Sequence, residues 1–411
     1  MKLLIANARI IDPHSSHHKK RLDLLIVDGH IQDIGKNLKS RAERLEGKDL
    51  HVSPGWIDMH AHFCDPGEEY KEDLKSGLAA ARAGGFTSVV TMPSTTPVVG
   101  NKSSLEYIRT KSQGTGVKVY PAATISKQGQ GKELAEMIDL ADSGARLFTD
   151  DKRPVTDSGL MSRALLYAKN TPSTVCSFPM DVHLRGKGKM HEGAVSTRLG
   201  ITGIPDIAES TLLKRDIDLL RYTDSRLHVS GVSTSQGVKL IKAAKREGLN
   251  ITAEVHLSHL LWTDDKLLDY DTNYKLDPPL RAETHRKALI KAVADGTIDC
   301  ISSDHRPHDV EHKKREFGLA ADGIALIEHV YPLYQTYLAD KLPLERFVEA
   351  LTDGPCRVLG LTAARVEKGK RAILTVFSPS LSSASTPSAT KAYNTPCIHP
   401  ETKGLVVQTI R

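Results

Sequence analysis

Residues 53–94 read SPGWIDMHAHFCDPGEEYKEDLKSGLAAARAGGFTSVVTMPS and carry the clearest fold signal in the sequence. It starts with an apolar run around Trp56 and continues through an Asp-Pro-Gly turn at 65–67. An alanine-rich segment follows, which Gly84-Gly85 ends as a helix stop, and a second apolar run starts at Phe86. A strand, a helix and a strand in this order predict a β/α unit with parallel strands.

The same alternation continues through residues 53–364. Eight segments have the character of buried strands, and they read GWIDMHAHF, FTSVVTMPS, VKVYPAAT, ARLFTDD, STVCSF, RLHVSGVS, ITAEVHLSH and IDCISSDH. Helical periodicity follows most of them, for example at 105–111, 132–141, 212–222, 238–247 and 283–294. Eight such units predict an α/β fold of the (β/α)8 TIM-barrel type. An open doubly wound sheet is the alternative, but the G-x-G-x-x-G turn that it favours is absent.

The two chain ends have a different sequence pattern from the middle of the chain. Residues 1–52 and 365–411 carry short strand-like runs, including DLLIVDGHIQDIG with a turn at Asp28-Gly29, AILTVFSP and GLVVQTI. The Ser/Pro/Thr-rich segment at 378–390 has loop composition. We therefore expect the ends to form a small β-sandwich domain beside the barrel at 53–364.

Composition narrows the classes of function. The 411 residues include 18 histidines and five scattered cysteines without a C-x-x-C pair, which argues against a disulfide framework and suits a reducing compartment. The start of the chain does not resemble a signal peptide and no apolar run is long enough to span a bilayer, so a cytoplasmic protein is expected. The net charge of +6 is modest, and the basic residues Arg185, Lys187 and Lys189 favour a solvated loop over a nucleic-acid groove.

Polar residues at the strand ends predict a metal site. A barrel places its site at the C-terminal ends of its strands. His60 and His62 lie two apart and face one side of the first strand, Asp150-Asp151 ends the fourth strand, and Asp304 ends the eighth. Each feature alone is common as a surface pair, a turn or a helix cap. Together they could bind a divalent ion and activate a water.

The stretch 53–94 resembles the first two barrel units of the dihydroorotases, in the cyclic amidohydrolase branch. The resemblance covers nearly the whole chain and continues in ARLFTDD, GKMHEGAVSTRLGITGIPDIAES, HVSGVSTSQGVKLIKAAKREG, TAEV, DPPLR, DGTIDCISSDHRPH and the NTP at Asn394. It implies a barrel flanked by a small β domain, with one or two zinc ions at the barrel mouth. It also implies interconversion of dihydroorotate and N-carbamoyl-aspartate, a step of de novo pyrimidine biosynthesis.

The resemblance assigns roles to individual residues. The first-metal ligands would be His60, His62, Asp151 and Asp304. Asp304 would also carry a proton from the attacking water to the leaving ring nitrogen, while a metal-bound hydroxide attacks the polarised ring carbonyl. His308 and Arg281 match substrate contacts of the family.

The positions of the family's second-metal histidines hold Phe178 and Gly231 in this chain. Neither side chain can coordinate a metal, so one zinc ion is expected. His183, His228 and His256 are left as possible substitutes, although His228 stands three residues before Gly231 and so on the opposite face of an ideal strand.

Substrate positions differ as well. Cys64 stands where the family has an arginine that clamps the substrate carboxylate, and Ser94 replaces an asparagine. Asp277 replaces another asparagine and puts a negative charge where an anionic substrate should lie. Losing a charge-assisted pair and adding a like charge should each weaken binding of dihydroorotate.

Three interpretations remain open at this stage. The chain could be a single-metal amidohydrolase with weak activity or a different cyclic amide substrate. It could be a catalytically silent scaffold subunit that partners aspartate carbamoyltransferase; a homo-oligomer is also expected. A dihydropyrimidinase- or allantoinase-like enzyme would need a carboxylated lysine after strand four, and Lys152 should face away along that strand.

Overall fold

A computed structural model describes residues 2–382, 388–395 and 402–411. The strands in this part of the chain are β1 Lys2–Ile10, β2 Arg21–Val27, β3 His30–Gly35, β4 Glu43–Leu45, β5 His51–Pro54, β6 Trp56–Ala61, β7 Phe86–Thr91, β8 Lys118–Pro121, β9 Leu147–Phe148, β10 Thr174–Ser177, β11 Met190–His191, β12 Gly203–Ile204, β13 Leu227–Val229, β14 Ile251–His256, β15 Cys300–Ser302, β16 Leu374–Ser382 and β17 Lys403–Ile410. The helices are α1 Leu74–Ala83, α2 Lys102–Lys111, α3 Met137–Asp142, α4 Ser158–Lys169, α5 Val182–Arg185, α6 Ala194–Leu199, α7 Ile207–Thr223, α8 Ser235–Arg246, α9 Leu257–Leu261, α10 Glu283–Ala294, α11 Val310–Lys313, α12 Val330–Tyr337, α13 Leu344–Leu351 and α14 Asp353–Leu359. No helix in these ranges has the length and apolar character needed to cross a bilayer.

Eight parallel strands form the barrel, and each of the eight predicted strand segments contains one of them. Strands β6, β7 and β8 pair in one run, and β9, β10, β13, β14 and β15 pair in a second. Two parallel bridges join the runs, between Ala61 and His305 and between Ala123 and Phe148. The predicted (β/α)8 barrel is therefore confirmed.

Burial explains why these segments are strands. Every residue of β6 and of β7 is buried, as expected for parallel strands that are covered by helices on one face and by the barrel interior on the other. Trp56 at the start of β6 contacts Phe86, Phe347 and Phe377, and thereby joins the barrel to the terminal β domain.

Helix α1 shows the local signals that position the first unit. Asp73 and Ser76 form a reciprocal capping box at its start. Gly84 caps its end and donates a hydrogen bond from its N–H to Ala80 O at 2.9 Å. The predicted helix stop at Gly84-Gly85 is confirmed.

One predicted helix is shorter than expected. The segment 132–141 is helical only from Met137, in α3. The residues before it hydrogen-bond to the preceding loop instead: Lys127 N–H donates to Glu133 O at 2.8 Å, and Ala135 N–H donates to Ile125 O at 2.9 Å. These bonds hold the first half of the segment as a hairpin-like loop.

Both chain ends contribute to one seven-stranded sheet, which confirms the predicted β domain. Its strand order is β17-β16-β5-β1-β2-β3, and β4 pairs with β1. The Asp28-Gly29 turn joins β2 to β3 with positive φ at both residues, as a two-residue hairpin requires. The predicted loop at 378–390 starts later than expected, because β16 continues to Ser382 in pairing with β17. Residues 383–387 of this segment lie outside the described part of the chain, and 388–390 belong to no helix or strand.

Candidate metal centre

Four residues from three strand ends meet at the mouth of the barrel. His60 lies in β6 and His62 directly after it, Asp151 follows β9, and Asp304 follows β15. The Asp151 carboxylate lies between the two imidazoles, with Oδ1 3.0 Å from His60 Nε2 and Oδ2 2.8 Å from His62 Nε2. Asp304 Oδ1 lies 3.6 Å from His60 Nε2. The structure thus brings together all four residues that the sequence predicts as metal ligands.

The residues present fit a divalent metal ion. Ligand atoms of His60, His62 and Asp151 lie within 4.8 Å of one another, and so do those of His60, His256 and Asp304. All of these side chains are buried. Imidazole nitrogens and carboxylate oxygens that converge in this way form a donor set typical of zinc sites.

Glu254 supports the centre from inside the barrel. Its Oε1 lies 3.1 Å from His60 Nδ1 and accepts a hydrogen bond from Ser230 Oγ at 2.6 Å. A carboxylate on the far nitrogen of a ligand histidine fixes the ring and turns Nε2 toward the metal position. Sequence reasoning missed this residue, although a charged residue two positions before His256 in a barrel strand was the available signal.

Burial and charge compete at these groups. Burial and Lys152 lower the pKa of His60, but hydrogen bonds with Asp151 and Glu254 outweigh them and raise it to about 9. Burial holds the pKa of His62 below its ordinary value. Burial raises the pKa of Asp304, but His256 and Lys152 outweigh it and hold that pKa well below the ordinary range. Asp304 is therefore ionised, the form in which a carboxylate binds metal.

Lys152 faces the centre, so the expectation that it points away was wrong. Strand β9 ends at Phe148, and Asp151 has a φ of 58°, so the alternation of a strand does not extend to Lys152. Its Nζ lies 3.0 Å from Asp304 Oδ1 and 3.0 Å from His256 Nε2.

Of the three histidines considered as substitutes, only His256 joins the ligand groups found among the described residues. His183 is exposed on α5. His228 is turned inward, with Nε2 3.6 Å from Glu254 Oε2, but it belongs to neither ligand group. Asp150 accepts hydrogen bonds from the N–H groups of Ile125 and Ser126, and so it supports a loop.

A cavity of about 370 Å³ opens beside the centre. Its lining residues are His62, Phe63, Cys64, Glu68, Lys71, Met92, Ser94, Thr95, Thr96, Asp151, Lys152, Arg153, Arg306, Pro307 and His308. Four of them are lysine or arginine and only two are acidic, so the cavity favours an anion. Ser94 Oγ donates to Asp151 Oδ2 at 2.6 Å.

His308 lines this cavity, and its role as a substrate contact stays a prediction. Its Nε2 lies 3.0 Å from the backbone oxygen of Asp322. Burial and the charge of Arg306 lower the pKa of His308 to about 3, so the ring is neutral near pH 7.

Arg281 is not among the residues that line the cavity. Its Nη1 donates to Ile204 O at 2.8 Å and its Nε donates to Ser233 Oγ at 3.2 Å. The guanidinium is buried and braces the loop before α8, and its role as a substrate contact stays a prediction.

Asp277 is paired, which the sequence did not reveal. Its Oδ2 lies 2.9 Å from Arg185 Nη1. The expectation that Arg185 belongs to a solvated loop was therefore wrong, since Arg185 ends α5 and is only 25 % exposed. The repulsion expected from Asp277 is reduced by this ion pair.

A (β/α)8 barrel with histidines and aspartates at the C-terminal mouth of its strands defines the amidohydrolase class of fold. Solved structures share the fold: L-hydantoinase (dihydropyrimidinase) from Arthrobacter aurescens matches with a TM-score of 0.85 and 21% identity, covering 99% of this chain and 94% of that chain. Dihydropyrimidinase from Brevibacillus agri matches with a TM-score of 0.81 and 20% identity, covering 99% of this chain and 93% of that chain.

Sequence relatives identify the family. The dihydro-orotase-like family model matches residues 50–237. The chain is 40% identical to a dihydroorotase of Syntrophotalea carbinolica and 42% identical to one of Pelotomaculum thermopropionicum, in each case over 100% of this chain and 97% of the relative. The chain belongs to the dihydroorotase family.

Proposed function

We propose that this chain is an active dihydroorotase that uses one zinc ion. The observation that carries the proposal is the convergence of His60, His62, Asp151 and Asp304 beside a cavity rich in cationic side chains. Family membership adds the substrate class, a cyclic amide that carries a carboxylate.

His60, His62, Asp151 and Asp304 would hold the zinc ion. When bound, the ion supplies Lewis-acid activation of a water and of the ring carbonyl. Glu254 orients the His60 ring, and Ser94 donates to the Asp151 oxygen that faces His62. These outer contacts hold the ligands in place before an ion arrives.

Asp304 is placed to move the proton. Its carboxylate is ionised and so can accept a proton from the attacking water as the new C–O bond forms. The ring C–N bond then breaks, and the same carboxyl returns the proton to the departing nitrogen. Water is the only other reactant: one of its hydrogens goes to the ureido nitrogen, and the other leaves as a proton when the new carboxylic acid ionises to a carboxylate.

Arg306 would bind the substrate carboxylate. Cys64 cannot form the ion pair that the family's arginine makes at that position, but Arg306 lines the same cavity. No hydrogen bond or ion pair joins its guanidinium to another residue of the described ranges. A free guanidinium in a cavity of this size is suited to a bidentate pair with a carboxylate, and His308 lies beside it.

The proposal includes three further points. The domains divide at 1–52 with 365–411 and at 53–364, which the mixed sheet of both chain ends supports. A cytoplasmic location and a homo-oligomer rest on family membership alone.

Metal content and ring opening of dihydroorotate test this function together. Protein purified without chelator should contain zinc and open the ring at neutral pH. His60→Ala should lose the zinc and at least about 100-fold in turnover, since a lost ligand costs more than a lost supporting residue. The exposed His183 provides the control, and His183→Ala should keep both properties. Metal-free wild-type protein without turnover would contradict the proposal and favour the scaffold role with aspartate carbamoyltransferase.

A further inference from the structure

We infer that the Lys152 ammonium serves as the second cation of this centre, so that the chain binds one divalent ion and excludes another. This inference rests on the proposed function in that it needs a metal in the first position. It concerns the residues around Lys152, His256, Phe178 and Gly231.

Lys152 lies in a site built to hold a cation. Its side chain is only 6 % exposed, and its Nζ lies 3.0 Å from Asp304 Oδ1. On another side it lies 3.0 Å from His256 Nε2, and it stands 5.3 Å from the centroid of the Phe178 ring. An anion, a lone pair and an aromatic face thus surround one ammonium group.

His256 is oriented for this contact. Its Nδ1 lies 2.8 Å from Ser302 Oγ. An ammonium can only donate, so Nε2 accepts from Lys152 and Nδ1 carries the ring proton, which it donates to Ser302. The His256 ring is therefore oriented so that the lone pair on Nε2 accepts a hydrogen bond from the Lys152 ammonium.

Gly231 makes room for that ring. A Cβ atom at position 231 would lie 2.8 Å from His256 Nε2, closer than real Cβ contacts come. The His256 ring can therefore occupy its present position only if residue 231 has no side chain. Phe178 and Gly231, which stand where the dihydroorotases have their second-metal histidines, supply an aromatic face and an open space for the lysine and its partner.

The charge of Lys152 has a consequence for metal binding. The ammonium shares Asp304 with the first metal position, and it lies in the space that a second ion beside that carboxylate would take. The positive charges of the Lys152 ammonium and of a second ion on the same carboxylate would repel each other strongly in a buried site. A second divalent ion is thus excluded by occupancy and by charge.

The number of bound ions tests the inference directly. We expect one zinc per chain for the wild type after dialysis against excess zinc. The triple variant Phe178→His, Gly231→His, His256→Ala should still bind one ion, because Lys152 remains. Adding Lys152→Gly to that variant should raise the count to two, and cobalt-loaded protein should then show a spin-coupled pair by electron paramagnetic resonance.

A single substitution covers the case in which the multiple variants do not fold. Lys152→Met should bind its one zinc about tenfold more tightly in competition with a chelator, because a competing cation on Asp304 is gone. Lys152→Arg keeps the charge and should stay close to the wild type.

Several results would overturn the inference: two ions in the wild type, including a pair bridged by a carboxylated Lys152; two ions in the triple variant; one ion in the quadruple variant; or unchanged zinc affinity in Lys152→Met. One bound zinc without ring opening would overturn the proposed function and leave this inference standing.

Discussion

A guanidinium at position 306 and an uncharged thiol at position 64 face the same cavity. If Arg306 binds the substrate carboxylate, its loss removes a charge-assisted pair worth about 1.5–3 kcal/mol. Arg306→Gln should therefore raise KM for dihydroorotate by roughly 10- to 100-fold, with a smaller change in kcat. Steady-state kinetics of both proteins give the KM and kcat values to be compared.

Two further variants make the test of Arg306 specific. Arg306→Lys keeps the charge but loses the planar fork, so its KM should fall between those of the wild type and Arg306→Gln. Cys64→Arg in the Arg306→Gln background returns a guanidinium to the cavity and should recover part of the lost affinity. An Arg306→Gln variant with the KM of the wild type would show that the carboxylate binds elsewhere.

At the scale of one element, the end of α1 depends on a glycine for two reasons. Gly85 has a φ of +93°, and a Cβ there would lie 2.7 Å from the Trp56 ring. Gly85→Ala should lower the free energy of unfolding by about 2–4 kcal/mol, of which about 1 comes from the backbone and the rest from overpacking. Chemical denaturation measures the loss.

The β2–β3 turn offers a matched control for this substitution. Gly29 also has a positive φ, of +77°, but a Cβ there would meet no atom within 4 Å. Gly29→Ala should therefore cost only the backbone penalty, about 1 kcal/mol. Equal losses at the two positions would mean that contact with Trp56 contributes nothing.

At the scale of the whole molecule, buried histidines govern acid stability. Burial is the largest cause that lowers the pKa of five of them, to about 4 for His51, His191, His259 and His329 and to about 3 for His308. Unfolded histidines titrate near pH 6.5. Between about pH 6.5 and 4 the unfolded chain binds more protons than the folded chain, so stability should fall as the pH falls through this window.

His51 isolates this effect from metal loss because it lies in β5, outside the candidate metal centre, with its ring against Phe377. His51→Phe keeps an aromatic ring and removes the titrating group. Its free energy of unfolding should decline less steeply below pH 6.5, by up to about 1.4 kcal/mol per pH unit, than that of the wild type. The free energy of unfolding of both proteins is measured by denaturation at a series of pH values. If it falls with the same slope in His51→Phe and in the wild type, His51 does not contribute to the loss of stability in acid.

Four features could be predicted from local sequence: the eight barrel strands, the β domain of both chain ends, the helix stop at Gly84, and the convergence of His60, His62 and the aspartates at two strand ends. These follow from local patterns: apolar runs, glycine breaks and the two-residue repeat that gives His60 and His62 one direction. The resemblance to the dihydroorotases then selected Asp151 over Asp150. The length of α3 was misjudged because hydrogen bonds with the preceding loop compete with helix formation.

The directions of Lys152, Arg306, Arg281 and Asp277 depend on long-range packing and could not be predicted from the sequence. Lys152 and Arg306 lie just beyond the ends of β9 and β15, where alternation no longer applies and where the left-handed residues Asp151 and Asp304 redirect the chain. Asp277 and Arg281 lie in the segment before α10, outside any strand. Their partners come from distant parts of the chain: Asp304 for Lys152, Arg185 for Asp277 and Ile204 for Arg281. A local pattern carries no information about such partners, because long-range packing brings them together.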